Sequence, residues 1–222
     1  ESTWKSLKQF MSGPADNLYV SDGYSASLEH AESRSQQLRL DVPAELDGWI
    51  QSVSSESVRT LSVTLMLDLF AQETESAAIT ETANDLAALA CDLLLSADLD
   101  EALRIATALR ETGSSGKSVR ALAARLALES ISTSEALAEL MPMAGDLDAP
   151  RFQVLVDLCR TVGTGVLRVT VASYADARRD ETRLRLRQLV AAFGEAGITT
   201  LGRLVADEDW EIGRTAIQLM GL

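Results

Sequence analysis

The residue types that most often carry out chemistry are few and scattered in this chain of 222 residues. The single histidine, His30, is far in sequence from the two cysteines, Cys91 and Cys159. A zinc site or a Cys-His nucleophile needs such side chains close together. We therefore predict no catalytic residue, no metal site and no cofactor, and we expect that the chain is not an enzyme.

Two further motifs could bind phosphate or a cation. Residues 113–118, GSSGKS, end like a phosphate-binding loop but lack its glycine spacing and a preceding strand, so we interpret them as a helix-breaking turn. The acidic runs around Asp98 and Asp207 could hold a cation or serve in acid-base chemistry. Carboxylates at helix starts already have a role in capping and in opposing the helix dipole, and we interpret both runs in that way.

The composition predicts the elements that would position these residues. Apolar residues make up 46% of the chain, charged residues 24% and aromatic residues 5%. Alanine and leucine dominate, with few β-branched runs, which favours helix over strand. We therefore predict an all-α fold.

The charge is strongly negative and unevenly distributed. The net charge is −13, and residues 1–111 carry 7 basic and 19 acidic side chains against 13 and 14 in residues 112–222. Attraction to phosphate backbones or anionic membranes needs clustered Lys and Arg. We expect no binding to nucleic acid or to a membrane, and an acidic N-terminal half.

Cysteine usage and hydropathy indicate a cellular location. Cys91 and Cys159 lie in apolar helical sequence, which predicts two buried free thiols in a reducing compartment, with a single disulfide as the alternative. The longest apolar stretch, residues 86–95, contains Asp92 and is about half the length of a bilayer span. The chain has no signal-peptide pattern, and it starts without Met, as an excised piece of a longer protein would. We predict a cytoplasmic protein.

Turn and cap signals divide the chain into two parts. Residues 1–42 are irregular and are predicted to be an N-terminal cap or linker, whereas helix signals recur throughout residues 43–222. The first predicted helix of this domain covers residues 43–53, and a capping box is predicted at Ser132-x-x-Glu135. Residues 74–97 are predicted to form either one long helix or two short ones.

An arginine recurs near the predicted start of every second helix. The intervals between Arg120, Arg151, Arg183 and Arg214 are 31, 32 and 31 residues, and Arg59 precedes Arg120 by 61, close to two periods. A copy near residue 90 is missing. A helical hairpin cannot bury its apolar faces alone and stacks on its neighbours, so this period predicts an α-solenoid of stacked antiparallel hairpins with a repeat of about 31 residues.

An arginine in the first helical turn is poorly placed for the dipole of its own helix. We expect these arginines to reach a turn carboxylate of the adjacent repeat, the alternative being that they are solvated. The aspartates in suitable turns are Asp146, Asp148, Asp176, Asp180, Asp207 and Asp209.

The segment DEDWEIGRTAIQLMG resembles the turn and second helix of bacterial HEAT-repeat proteins. The matching positions are Asp207, Trp210, Ile212, Arg214, Ala216 and Leu219. The resemblance covers residues 43–222 through short motifs, and it departs from the family because the period is shorter than about 40 residues and because Thr182 and Gly213 replace the usual Val before Arg. We expect Trp210 to pack against a neighbouring repeat.

The resemblance implies a non-catalytic scaffold or adaptor that binds another protein or another domain of its own chain. The alternative is a HEAT-like nucleic-acid-binding or DNA glycosylase-type domain. Its only support is a basic cluster, diluted by neighbouring acids, at Arg178, Arg179, Arg183, Arg185 and Arg187.

The excess acid also suggests where a partner would bind. Glu73, Glu75, Glu81 and Asp85 lie in a segment with few turn signals, where helix capping does not explain them. We predict that the N-terminal half presents an acidic face for a basic protein segment, while the C-terminal half continues the stack. The alternative is that these charges only keep the protein dissolved.

Overall fold

The computed structural model describes the backbone of residues 55–221 and the side chains of residues 58–221. The predicted cap or linker over residues 1–42, the predicted helix over residues 43–53 and the boundary between them lie outside the described residues, as does His30.

The described part of the chain is helical and contains no strand, which confirms the all-α prediction for these residues. In chain order the elements are α1 (Ser55–Gln72), α2 (Ser76–Leu95), α3 (Leu99–Ser114), α4 (Val119–Ser132), α5 (Glu135–Leu140), a 3-10 helix (Met141–Asp146), α6 (Ala149–Val162), α7 (Val166–Asp176), α8 (Asp180–Ala191), α9 (Gly194–Leu204) and α10 (Trp210–Met220).

Short polar side chains fix several helix starts. Ser118, Ser134 and Asp148 each accept a hydrogen bond from the backbone N–H three residues later, at the starts of α4, α5 and α6. The capping box predicted at Ser132 is therefore wrong by two residues. Ser132 is instead the buried last residue of α4, where its hydroxyl donates to the Glu129 carbonyl.

Residues 74–97, which were predicted to form either one long helix or two short ones, contain one continuous helix, α2. Helix α2 has no Gly or Pro along its 20 residues, and Asn84 and Asp85 are exposed, so they do not interrupt it. The missing repeat copy near residue 90 is thus the middle of a helix, and the period of 31 does not hold through this part. Among the described residues, no helix combines the length and apolarity needed to cross a bilayer.

Two hydrophobic cores hold the helices together. The larger core runs from Val63 and Phe70 of α1 through α2 to α6 and ends at Leu186 and Leu189 of α8. The smaller core joins α7, α8, α9 and α10, with Ile212, Ala216 and Leu219 from α10; α7 and α8 contribute side chains to both cores.

Each helix packs mainly on helices close to it in chain order. Helix α2 packs on α1, α3, α4 and α5, and α3 also packs on α1 and α6. Helix α7 packs on α5, the 3-10 helix and α8 to α10, while α9 packs on α10. Neighbours in sequence are therefore also neighbours in space through most of the described residues.

Candidate functional site

The five periodic arginines all lie within the first five residues of a helix, on α1, α4, α6, α8 and α10. Three of them reach a turn that precedes another helix. Arg120 donates to the Glu73 carbonyl, and Arg151 Nη2 donates to the Ala97 carbonyl over 2.9 Å. Arg59 Nη1 lies 3.6 Å from the carboxylate of Asp98, the residue that precedes α3.

These contacts place the starts of packed helices side by side. Glu73 lies just before α2 and contacts the start of α4, so α2 and α4 begin at the same end. Ala97 lies just before α3 and contacts the start of α6, so those two helices also begin together. The same reasoning applies to α1 and α3, whose starts Arg59 and Asp98 connect.

The acceptors are backbone carbonyls more often than the carboxylates that we expected. The last carbonyls of a helix have no partner within that helix, and an arginine from a neighbour can satisfy them. Ala97 illustrates this need, since its φ of 56° is in the left-handed region and its turn closes through a 2.8 Å hydrogen bond from Asp98 N to Leu93 O. Arg151 therefore stabilises a turn whose conformation is unfavourable for alanine.

The other two periodic arginines make only local contacts with described residues. Arg183 Nε donates to the Ala177 carbonyl over 2.8 Å, within the turn that leads into its own helix. The Arg214 guanidinium carbon lies 5.8 Å from the centre of the Trp210 ring on the same helix. Trp210 is 66% exposed, so most of its surface faces solvent rather than a neighbouring repeat.

Two of the predicted turn aspartates pair with arginines outside the periodic set. Arg168 of α7 holds Asp207 through two hydrogen bonds of 2.9 and 3.1 Å, and Arg179 pairs with Asp146. No sequence signal identified Arg168, because it lies outside the positions of the 31-residue period, although it too is in the first turn of its helix. The Asp207 pair links α7 to the turn between α9 and α10.

The pKa of Asp207 is lowered by the Arg168 hydrogen bonds first and by the Asp209 N–H second. A carboxyl group whose pKa is lower in the folded state stabilises the fold above its unfolded pKa of about 4, and this contribution disappears as the pH falls through the folded value. We therefore expect Asp207→Asn to be less stable than the wild type at neutral pH. The difference should shrink as the pH falls below about 4.

Urea unfolding followed by circular dichroism at several pH values measures this difference. Asp176→Asn is the matched control, because Asp176 is exposed and its carboxylate makes no hydrogen bond with a described residue. A difference between wild type and Asp207→Asn that stays constant down to about pH 3 would rule out the ion pair as its cause.

The basic cluster on α8 is largely engaged by neighbouring groups. Arg185 lies 4.5 Å from the centre of the Phe152 ring, and its Nε is 3.5 Å from Glu181 without hydrogen-bond geometry. Arg179 pairs with Asp146 and Arg183 with the Ala177 carbonyl. Arg178 and Arg187 make no hydrogen bond or ion pair with a described residue. The cluster therefore does not form a continuous row of unpaired cations.

The other chemical candidates occupy structural positions. Both cysteines are free thiols, as predicted. Cys159 is buried, which raises the pKa of its thiol. Cys91 is only half-buried, so the prediction that both are buried is wrong for Cys91. Asp98 pairs with Arg59, and Glu101 accepts from Thr60 and Arg104. Within residues 58–221 no three His, Cys, Asp or Glu side chains gather as a metal site would require.

The GSSGKS motif covers the end of α3 and the turn that leads into α4. Ser118 caps α4, and Arg125 donates to the carbonyls of Gly113 and Gly116 over 3.0 and 3.2 Å. The backbone of this turn is thus an acceptor for a side chain of the helix that it precedes.

Helix α2 carries an acidic stripe on its solvent side. Glu81, Asp85 and Asp92 are exposed, and their spacing of 4 and 7 residues places them on one face of the helix. The opposite face is buried in the larger core, with Leu86, Ala90 and others. None of the three acids pairs with a basic residue in the described part of the chain. We call these three residues the acidic stripe.

Helix α4, which packs on α2, carries an apolar stripe on its solvent side. Val119, Leu122 and Leu126 are 47%, 52% and 51% exposed. They lie at spacings of 3 and 4 residues, one face of a helix whose other face is buried in the core. We call these three residues the apolar stripe. A cluster of exposed large apolar side chains is typical of a binding surface.

A second exposed apolar face lies on α1. Val58, Leu61, Leu65 and Leu69 are between 48% and 68% exposed. Helix α1 is the first described helix, whereas α2 and α4 are both members of the larger core and pack on each other. We therefore take the faces of α2 and α4 as the candidate surface.

No family model matches the chain, and neither a curated protein nor a solved structure is significantly similar to it.

Proposed function

We propose that this protein is a scaffold of stacked helical hairpins that binds a second protein through the solvent faces of α2 and α4. The partner segment that fits these faces best is a basic amphipathic helix. The observation that carries the proposal is that two helices packed on each other, α4 and α2, expose an apolar stripe and an acidic stripe respectively.

The contacts of the periodic arginines, which lie near the starts of their helices, support the stacked arrangement. In a stack, each hairpin repeats the direction of the one before it, so equivalent helices start at the same end. Arg120 joins the starts of α2 and α4, and Arg151 joins the starts of α3 and α6. Helices α2 and α4 would then belong to one row of equivalent helices in the stack, and α3 and α6 would belong to the other row.

The parallel placement of α2 and α4 supports a single binding face. Because a helix rises 1.5 Å per residue and both helices begin at the same end, Leu122 and Leu126 lie at about the same height as Glu81 and Asp85. Arg125, the basic residue nearest to the two leucines in sequence, donates to the turn before α4. A partner helix could place apolar residues on the leucines and lysines near the acids.

The proposal is tested with a peptide that forms an amphipathic helix, with Leu on one face and Lys on the other. We expect the peptide to bind the full chain, and its affinity to fall at least about tenfold between low and high salt, because charge attraction is screened. The variant Glu81→Gln/Asp85→Asn/Asp92→Asn should bind more weakly at low salt and lose most of this salt dependence.

A peptide with Glu in place of Lys and a DNA duplex serve as controls, and neither should bind. The proposal fails if the Leu/Lys peptide does not bind at low salt or binds the triple variant as it binds wild type. Tight, salt-dependent binding of the duplex would instead favour the nucleic-acid alternative.

A further inference from the structure

A polar cleft of about 340 Å³ lies between α7, α8 and α10 and is separate from the stripes on α2 and α4. The side chains that matter for its chemistry are Tyr174 of α7, Arg183 of α8, and Glu211, Arg214 and Thr215 of α10. Two of the periodic arginines therefore meet in one cleft, although they are 31 residues apart in sequence.

The cleft contains several hydrogen-bond donors that no described residue uses. Arg183 donates through Nε to Ala177, which orients the guanidinium and leaves both of its Nη groups without an acceptor among the described residues. Arg214 lies over the Trp210 ring, and neither it nor the Tyr174 hydroxyl has a hydrogen-bond partner in the described part of the chain. Such an excess of donors fits a ligand that accepts hydrogen bonds.

The surroundings of Thr215 independently indicate that the cleft fits a ligand that accepts hydrogen bonds. It is only 6% exposed, and it lines the cleft. Thr161 and Thr170, in other helices, donate their hydroxyls to the carbonyl four residues earlier. The Thr215 hydroxyl makes no such bond to Glu211 and none to any other described residue, so it is available to an acceptor in the cleft.

The charged side chains around the cleft determine which kind of hydrogen-bond acceptor it favours as a ligand. Glu211 is part of the wall, and an adjoining cleft that shares Tyr174 and Arg183 is lined by Asp180 and Glu181 as well as Arg187. These carboxylates oppose a multiply charged phosphate or a nucleic-acid strand. A carboxylate carries one charge and matches the planar fork of a guanidinium.

We propose that this cleft binds a carboxylate group, held by Arg183 and Arg214 and by the hydroxyl of Thr215. The carboxylate belongs either to a small organic acid or to a side chain or terminus of a peptide. Both sources present the same planar acceptor to the two arginines.

Two-dimensional NMR titrations of the full chain at constant ionic strength test the site. The probes are acetate, a blocked tripeptide with a single Glu, and inorganic phosphate. We expect saturable shifts of the Thr215 and Arg214 signals with the carboxylates, and weaker effects with phosphate. Binding of the tripeptide at least about tenfold tighter than acetate would identify a peptide as the source, and equal affinities would identify a small acid.

Arg183→Lys/Arg214→Lys keeps both charges but removes the guanidinium forks, and should weaken carboxylate binding at least about tenfold. Thr215→Val should weaken it by about tenfold, since it loses one hydrogen bond to a charged group. Arg187→Lys, in the adjoining cleft, is the matched control and should bind as wild type. Shifts that do not saturate, an unchanged affinity in the double variant, or a preference for phosphate would each overturn the proposal.

Discussion

The variant Gly213→Val is expected to lower the free energy of unfolding by about 2 to 3 kcal/mol. A Cβ atom at position 213 would lie 2.9 Å from the carbonyl oxygen of Val205 and 3.6 Å from that of Leu204. Both atoms belong to the backbone at the end of α9, so they cannot rotate away as a side chain would. The valine would therefore push α10 away from α9 and open the smaller core around Ile212 and Ala216.

Gly202→Ala is the matched control for this prediction. Gly202 also lies in a helix, but apart from its chain neighbours and the backbone of its own helix no atom lies within 4 Å of the Cβ that a substitution would add. Alanine should leave stability unchanged or raise it by up to about 1 kcal/mol, because glycine is unfavourable inside a helix. Urea unfolding of both variants measures the difference. A Gly213→Val variant as stable as wild type would contradict the close contact between α9 and α10.

The same contact explains one difference between this chain and the HEAT-type motif that its last segment was expected to resemble. The motif has Val before the arginine, whereas this chain has Gly213 before Arg214, and the carbonyl of Val205 occupies the space that a side chain would need. The other departure, Thr182 before Arg183, lies against Gly145, where an added Cβ would be 2.5 Å from the Thr182 hydroxyl oxygen. Nothing in that contact distinguishes Thr from Val at position 182.

Sequence reasoning predicted the elements better than their arrangement. Local signals determine a helix start, and the residues that cap α4 and α6, Ser118 and Asp148, are of types that favour this position, although the one capping box predicted explicitly, at Ser132, is two residues too early. The continuity of α2 was left open, because Asn84 and Asp85 are compatible with a turn. The surrounding core decides the matter, since the residues on both sides of this pair are buried on one face of the same helix.

The leucines that follow the periodic arginines at a fixed distance illustrate what spacing alone does not determine. Six residues after the periodic arginines, Leu189 is fully buried, whereas Leu65 and Leu126 are more than half exposed. Equal spacing in sequence therefore does not place these leucines in equivalent surroundings. Burial depends on which helices pack on each one, and that is a property of the tertiary structure rather than of the repeat.

The hydrogen-bond acceptors of the periodic arginines were not predicted from the sequence either, because they also depend on the tertiary structure. A turn carboxylate is visible in the sequence, but a backbone carbonyl left free at a helix end is not. Arg120 and Arg151 bind such carbonyls, and Arg183 binds one within its own turn.

The acidic stripe on α2 contains Glu81 and Asp85 of the predicted acidic face but not Glu73, whose carboxylate accepts from the N–H groups of Thr74 and Glu75. The apolar stripe on α4 had no counterpart in the sequence analysis.

The double variant Leu122→Ser/Leu126→Ser is expected to weaken binding of the Leu/Lys peptide by about 10- to 100-fold, because it removes the apolar part of the proposed face. The fold should tolerate the change, since both side chains are about half exposed and surface substitutions usually alter stability by under about 0.5 kcal/mol each. Circular dichroism and urea unfolding of the variant verify that it is folded.

Titration of the labelled peptide against wild type, the double variant and Leu184→Ser tests the proposed function most directly. Leu184 is the matched control, since it is 47% exposed but lies on α8, away from the α2 and α4 faces. We predict that Leu184→Ser binds the peptide within about twofold of wild type while the double variant loses at least about tenfold. Equal binding by wild type and the double variant, or an equal loss in Leu184→Ser, would contradict a binding face on α2 and α4.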